Sequence, residues 1–263
     1  MSKKTIFVLL STMIIIAVAS SAIIVNHPSA NSPSTPTPSA SSSPTPTPIP
    51  QKTVVICFDD GWLSQLNAFP ILDRYGYKAT LGIITSYVED NYPAYMNWST
   101  IENLTQQGYD IESHTVSHES LNNLTITQLS YELKQSQQDL LAHGINSSIL
   151  IYPYGDGYDN QTVIDAASRY YQYARDVIPG HVDLTSFDDY AISASEVQDT
   201  TSLAGFANLV SAQGNDVTVL FYHKISYEHD YAVTPENFAA QMQYLHDNGF
   251  VILTMKQVLG ISG

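Results

Sequence analysis

The sequence predicts an α/β fold, a distorted and incomplete (β/α) barrel of about seven strands, TIM-barrel-like in plan. Three observations carry that reading. Strand-like and helix-like segments alternate from residue 53 almost to the C-terminus, which implies a mainly parallel sheet. Thr53-Val54-Val55-Ile56-Cys57-Phe58 is apolar on both faces, as a parallel strand covered on both sides must be. Four expected strands end on polar or unusual residues: Asp59-Asp60, His114 with His118, Tyr152-Pro153-Tyr154, and His223. In a parallel barrel all four ends open on the same face.

Taken in order, the opening strand leads into a helical pattern over residues 62–75, bent at Pro70 and closed by Gly76. Residues 78–84 read as the second strand, followed by a looser tyrosine-rich stretch. A helix then spans 98–107 and stops at Gly108. Tyr109 to Ser113 is a short strand that delivers His114 and His118. An amphipathic helix covers 125–143, with Leu129, Leu133 and Leu140 among its apolar marks and Gly144 as its stop. Residues 148–152 form a strand, 162–170 a helix, 171–177 an extended segment and 196–212 a further helix. The strand 216–222 ends at His223, the helix 235–248 starts on Pro235, and 250–254 is the last strand.

The chain has further parts ahead of this domain. Residues 1–26 carry Lys3 and Lys4 and then an uncharged apolar stretch, the pattern of a signal peptide or of an N-terminal membrane anchor, with length favouring the anchor. Residues 27–51 are almost wholly Ser, Thr, Pro and Ala, a composition that buries no core and serves as an extended spacer. Residues 52–263 form the folded domain. The protein is therefore expected to be exported, either anchored at the cell surface or secreted, touching membrane through its N-terminal segment only.

The formal net charge is −15, and all 25 acidic residues lie beyond residue 51. So acidic a domain argues against nucleic acid as a partner. The single cysteine, Cys57, excludes an internal disulfide and reads as a buried, inert thiol. Five Asn-X-Ser/Thr sequons fit a surface protein without requiring one.

Adjacent carboxylates at a strand end repel unless a cation compensates them, although Asp-Asp-Gly alone also suits a solvated turn. Two His and one carboxylate form a common first-row metal set that leaves positions open for water and substrate. A His-X-X-X-His spacing places both imidazoles on one side if the segment is a helical turn.

At these residues the chain resembles the polysaccharide deacetylases (carbohydrate esterase family 4, the NodB-homology domain). Cys57-Phe58-Asp59-Asp60-Gly61 is similar to that family's first motif, and His114-Thr115-Val116-Ser117-His118 to its second. Tyr152-Pro153-Tyr154-Gly155 and His223 are similar to the third and fifth. The resemblance implies one divalent metal ion, zinc before others, on Asp60, His114 and His118. It implies Asp59 as general base toward a metal-activated water and His223 as acid toward the leaving amine. Tyr152, Pro153 and Tyr154 would line the substrate site, with a backbone N–H near Tyr154 facing the oxyanion. The expected partner is an N-acetylated polysaccharide or oligosaccharide. A carbohydrate O-acetyl esterase and a catalytically silent glycan-binding module are the alternatives.

The chain departs from the family pattern twice. Ile151-Tyr152 stands where the third motif commonly has an arginine that pairs with the base, and the fourth motif is not recognisable, residues 183–189 being a loose candidate. Arg175, at the end of the next expected strand, either takes the missing arginine's place as a base-tuning residue or pairs on the surface with Asp176. Tyr87, Tyr92 and Tyr95 are candidates for a sugar-stacking rim.

Overall fold

The protein is represented by a computed structural model that describes residues 52–212 and 216–261; segments 1–26 and 27–51 lie outside the described residues. The chain runs β1 (Thr53–Phe58), α1 (Phe69–Asp73), β2 (Thr80–Ile83), α2 (Thr85–Glu89), α3 (Trp98–Gln106), β3 (Asp110–Ser113), α4 (Ile126–Ala142) and β4 (Ile149–Ile151). It continues through α5 (Gln161–Ala167), β5 (Tyr173–Arg175), β6 (Ser195–Glu196), α6 (Leu203–Leu209), β7 (Val217–Tyr222), β8 (Lys224–Ile225), β9 (Ala232–Val233), α7 (Pro235–Asp247), β10 (Val251–Leu253) and α8 (Met255–Val258).

Seven strands form one parallel path in the order β5-β4-β3-β2-β1-β7-β6, and β10 joins as an eighth member. β1 is the hub. It pairs with β7 along its whole length, while its other edge is shared by β10 over Thr53–Val55 and β2 over Cys57–Phe58. The two ends of the path meet through a single parallel bridge, Arg175 with Ile192, three residues before β6.

The two-sided burial of β1 follows from this plan. Val54, Ile56 and Phe58 pack under the helices with Leu72, Phe238 and Met242. Val55 and Cys57 face the barrel interior with Val219, Phe221 and Met255. Cys57 is fully buried, and burial pushes its thiol pKa far up, so it stays protonated and inert. Gly82 is where β2 comes closest to its neighbours: a Cβ there would sit 2.6 Å from Ile151 Cδ1 and 3.5 Å from His114 Cβ. A side chain at that position would collide with Ile151, whose carbonyl holds the His114 ring, and would touch His114 itself.

Several expectations need correction. Residues 62–75 are a short 3-10 turn (Leu63–Asn67) followed by α1, with the break at Ala68. The tyrosine-rich stretch contains α2. The segment read as one helix over 196–212 begins as a strand, with Glu196 paired to Phe221 in register, and turns helical only at Leu203. His114 to His118 is not a helical turn: Thr115 and His118 both have positive φ, 67° and 61°.

Candidate metal and catalytic centre

The C-terminal ends of β1, β3 and β7, with the turn after β4, meet at a cleft of about 480 Å³. Asp59, Asp60, His114, His118, Tyr152, Tyr154 and His223 all border it. Pro153 is buried in the turn behind the two tyrosines, and Arg175 lies fully buried beyond the cleft wall.

Neighbouring Asp59 and Asp60 diverge because the chain turns sharply between them. Asp60 has φ 75° and Gly61 φ 79°, the left-handed region that glycine tolerates and aspartate accepts at modest cost. Asp60 is thereby thrown toward the histidines. Its Oδ1 lies 3.3 Å from His114 Nε2 and 3.4 Å from His118 Nε2, and the two Nε2 atoms are 3.0 Å apart. Its Oδ2 accepts from the Trp62 indole N–H at 2.7 Å, which leaves one oxygen for the histidine side. His114 Nδ1 donates to the Ile151 carbonyl at 2.7 Å, which fixes the ring and leaves Nε2 as the atom at the triangle.

These three residues are the one group among the described residues with metal-holding geometry. A tetrahedral cation with ligands at about 2.0–2.1 Å sets them about 3.3–3.4 Å apart, close to the edges observed. The protonation states agree with that fit. Burial alone would raise the Asp60 pKa, but His114, His223 and His118 hold it well below the usual carboxylate range. Burial and the neighbouring His114 push His118 down to about 4, so its ring is neutral near pH 7. An anionic Asp60 carboxylate beside a neutral His118 imidazole, with the His114 ring at the third corner, is a donor set for a divalent ion.

Asp59 lies outside that triangle but borders the same cleft. Its Oδ2 accepts from Arg175 Nη2 at 2.5 Å, and the guanidinium carbon sits 4.6 Å above the Phe221 ring. Asp59 Oδ1 has no hydrogen-bond partner among the described residues, in a side chain that borders the cleft. Arg175 therefore pairs with Asp59; it is not part of a surface pair with Asp176.

On the other wall, His223 Nδ1 lies 3.2 Å from Glu196 Oε1. Burial disfavours the imidazolium, but Glu196 and the charges of Asp59 and Asp60 outweigh it and raise the His223 pKa. The β1 and β7 ends are tied together by Gln65, fully buried, whose Nε2 donates to the carbonyls of Asp59 (2.6 Å) and His223 (2.8 Å).

Tyr154 sits in the turn after β4 at φ 59°, mostly exposed, with its ring edge-on to His118. Tyr95 stacks on Trp62 at 4.3 Å and Tyr87 packs on Tyr95, both bordering the cleft; Tyr92 packs behind them without lining it. Trp62, Gln65, Glu196 and Tyr231 were not singled out from the sequence. Glu196 was hidden by the helix reading of its segment. The acids of residues 183–189 are exposed and line no part of the cleft.

Residues 47–174 match the sequence profile described as polysaccharide deacetylase. The Bacillus subtilis (strain 168) protein YxkH, whose name places it among the polysaccharide deacetylases, is 34% identical over 133 residues, covering 49% of this chain and 46% of that protein. The chain thus spans less than half of that relative. Among solved structures, the Streptococcus pyogenes deacetylase PplD in complex with acetate superposes with TM-score 0.58 at 24% identity, covering 62% of this chain and 72% of PplD. The Bc1960 peptidoglycan N-acetylglucosamine deacetylase superposes with TM-score 0.55 at 15% identity, covering 82% and 91%. At these identities both are likenesses of fold.

Proposed function

We propose that this chain, whose residues 47–174 match the polysaccharide deacetylase profile, is a metal-dependent hydrolase of that family removing N-acetyl groups from an N-acetylglucosamine-type polysaccharide. The observation that carries the reading is the division of labour around one cleft. Asp60, His114 and His118 converge on one point, with Asp59–Arg175 on one side of it and His223–Glu196 on the other.

Asp60, His114 and His118 would hold the ion, zinc by its taste for imidazole and carboxylate ligands. A divalent cation there supplies Lewis acidity to the acetyl carbonyl and to the attacking water. Asp59 accepts the water's proton on Oδ1, while Arg175 keeps its other oxygen fixed. A backbone N–H near Tyr154 would hold the developing oxyanion. His223 then gives its proton to the amine nitrogen as the C–N bond breaks, and Glu196 stabilises the imidazolium beforehand. The exposed rings of Tyr154 and Tyr231 offer faces to sugar rings. The apolar N-terminal segment and the spacer of residues 27–51 would place this cleft outside the membrane.

The deciding experiment is acetate release from N-acetylglucosamine oligomers, with acetylated xylan as the oxygen-ester comparison. Release from the amide substrate, abolished by a chelator and restored by zinc, is the expected result. Release from acetylated xylan alone would make the chain an esterase. No release by fully zinc-loaded protein would leave a glycan-binding module.

Glu196→Gln removes one of the charges that raise the His223 pKa. The protonated acid is then lost at lower pH, so the alkaline limb of the turnover profile should move acidward, by about one order of magnitude in turnover near pH 8. An unmoved alkaline limb would contradict the role given to Glu196.

A further inference from the structure

Both histidines of the metal triangle hang on one five-residue loop, and that loop is in an unfavourable conformation. Thr115, a β-branched residue, and His118 both occupy the left-handed region. Something outside the loop must hold it there. Its outward carbonyls are met by α2, where Thr85 N and Ser86 N donate to Thr115 O (3.1 Å) and Val116 O (3.0 Å). Its inward groups have a different partner, the side chain of Glu132 in α4.

Glu132 Oε2 accepts from both Val116 N and Ser117 N at 2.9 Å, and Oε1 accepts from Ser117 Oγ at 2.7 Å. The carboxylate is buried. Those three bonds all go to the two residues midway between the ligands. Glu132 does not border the cleft, so it does not touch substrate. A buried carboxylate is costly unless hydrogen-bonded, and this one is satisfied by the loop alone.

We propose that Glu132 is the positioning residue of the metal centre: it moulds the His114–His118 loop so that both Nε2 atoms face Asp60 before any ion arrives. This rests on the metal reading above and extends it from the ligands to the residue that sets their spacing. The role is one of geometry, not of charge. An amide in the same place keeps an oxygen for the two backbone N–H groups and an N–H for Ser117 Oγ, which can turn to accept.

The test uses the full chain and zinc ion, with affinity read by competition against a chromophoric chelator. Glu132→Ala and Glu132→Leu should weaken zinc binding by about 10–100-fold, the usual cost of losing an outer-shell support, while Glu132→Gln stays near the native affinity. Folded Ala or Leu variants that bind zinc as tightly as the native protein would overturn the proposal. A Gln variant as weak as Ala would overturn the claim that geometry is what matters. If the native protein itself bound no zinc, the metal reading would fall, a result distinct from either. A second measurement needs no variant: in metal-free native protein the amides of Val116 and Ser117 should exchange slowly with solvent. Exchange at the rate of an open loop would show that Glu132 does not hold it.

Discussion

Replacing Arg175 by methionine should lower turnover by about 10²–10⁴-fold, the range a well-placed proton acceptor contributes, with KM and zinc stoichiometry unchanged. Arg175 reaches neither the cleft nor the metal triangle; it acts through Asp59. Its guanidinium fixes Oδ2 at 2.5 Å and leaves Oδ1 as the unpartnered oxygen of a side chain that borders the cleft. Without it Asp59 is a buried carboxylate free to rotate and lacking its cation. Removing one partner of a buried pair costs stability as well, about 3–5 kcal/mol, so the single variant alone is ambiguous. The double variant Arg175→Met with Asp59→Asn resolves this. It removes both charges and should be more stable than Arg175→Met, yet no less active than Asp59→Asn, because the two residues act as one unit. Native turnover in a folded Arg175→Met protein would reduce the pair to a structural role. So would loss of zinc in proportion to loss of turnover.

Arg175 also shows what a sequence can and cannot disclose. Its place at the end of a strand was legible, because β5 follows the α5 pattern at ordinary spacing, and that put it on the same face as Asp59. The alternation of β1 between helices and barrel interior was legible for the same reason: a run apolar on both faces has one architecture that suits it. The His loop was less so. The spacing of His114 and His118 suggested a helical turn, but a strand end followed by left-handed residues brings two imidazoles together just as well, and no side-chain pattern distinguishes the two. Glu196 was missed because a two-residue strand gives no periodicity, and the apolar residues beyond it imposed a helical reading. Glu132 had a signal that went unused. On α4 it lies on the stripe of Leu129, Leu133, Ser136 and Leu140, and a glutamate on a buried stripe needs a polar partner.

The second large effect belongs to a buried charge cluster outside the cleft. Lys256→Met should destabilise the protein by about 3–5 kcal/mol, and by more at about pH 8 than at about pH 5. Along β3, Asp110 and Glu112 share the face that ends in His114, so the strand that presents a metal ligand at its top carries two buried acids at its base. Lys256, at the start of α8, reaches in and meets both, 3.1 Å from Asp110 Oδ1 and 2.9 Å from Glu112 Oε1. Glu112 is further held through Oε2 by Ser147 Oγ, Ser148 N and Ile149 N. Burial first, then the charge of Asp110, push the Glu112 carboxyl up to about 8, with Lys256 pulling it back. A raised carboxyl means that the folded protein holds this proton more tightly than the unfolded chain. Its contribution to stability therefore falls as pH climbs from about 4.5 toward about 8. Lys256 is also raised: burial opposes its charge, but Glu112 and Asp110 more than compensate. Its contribution is present throughout that window and is lost only at higher pH. Taking the ammonium away thus matters least where Glu112 can stay protonated, and most where both acids must ionise side by side. Thermal unfolding of the two proteins across that window measures the difference. An equal loss at both ends would show that the acids are not the reason. At temperatures where the variant is folded, zinc affinity should match the native protein, because Lys256, Asp110 and Glu112 neither border the cleft nor touch the three ligands.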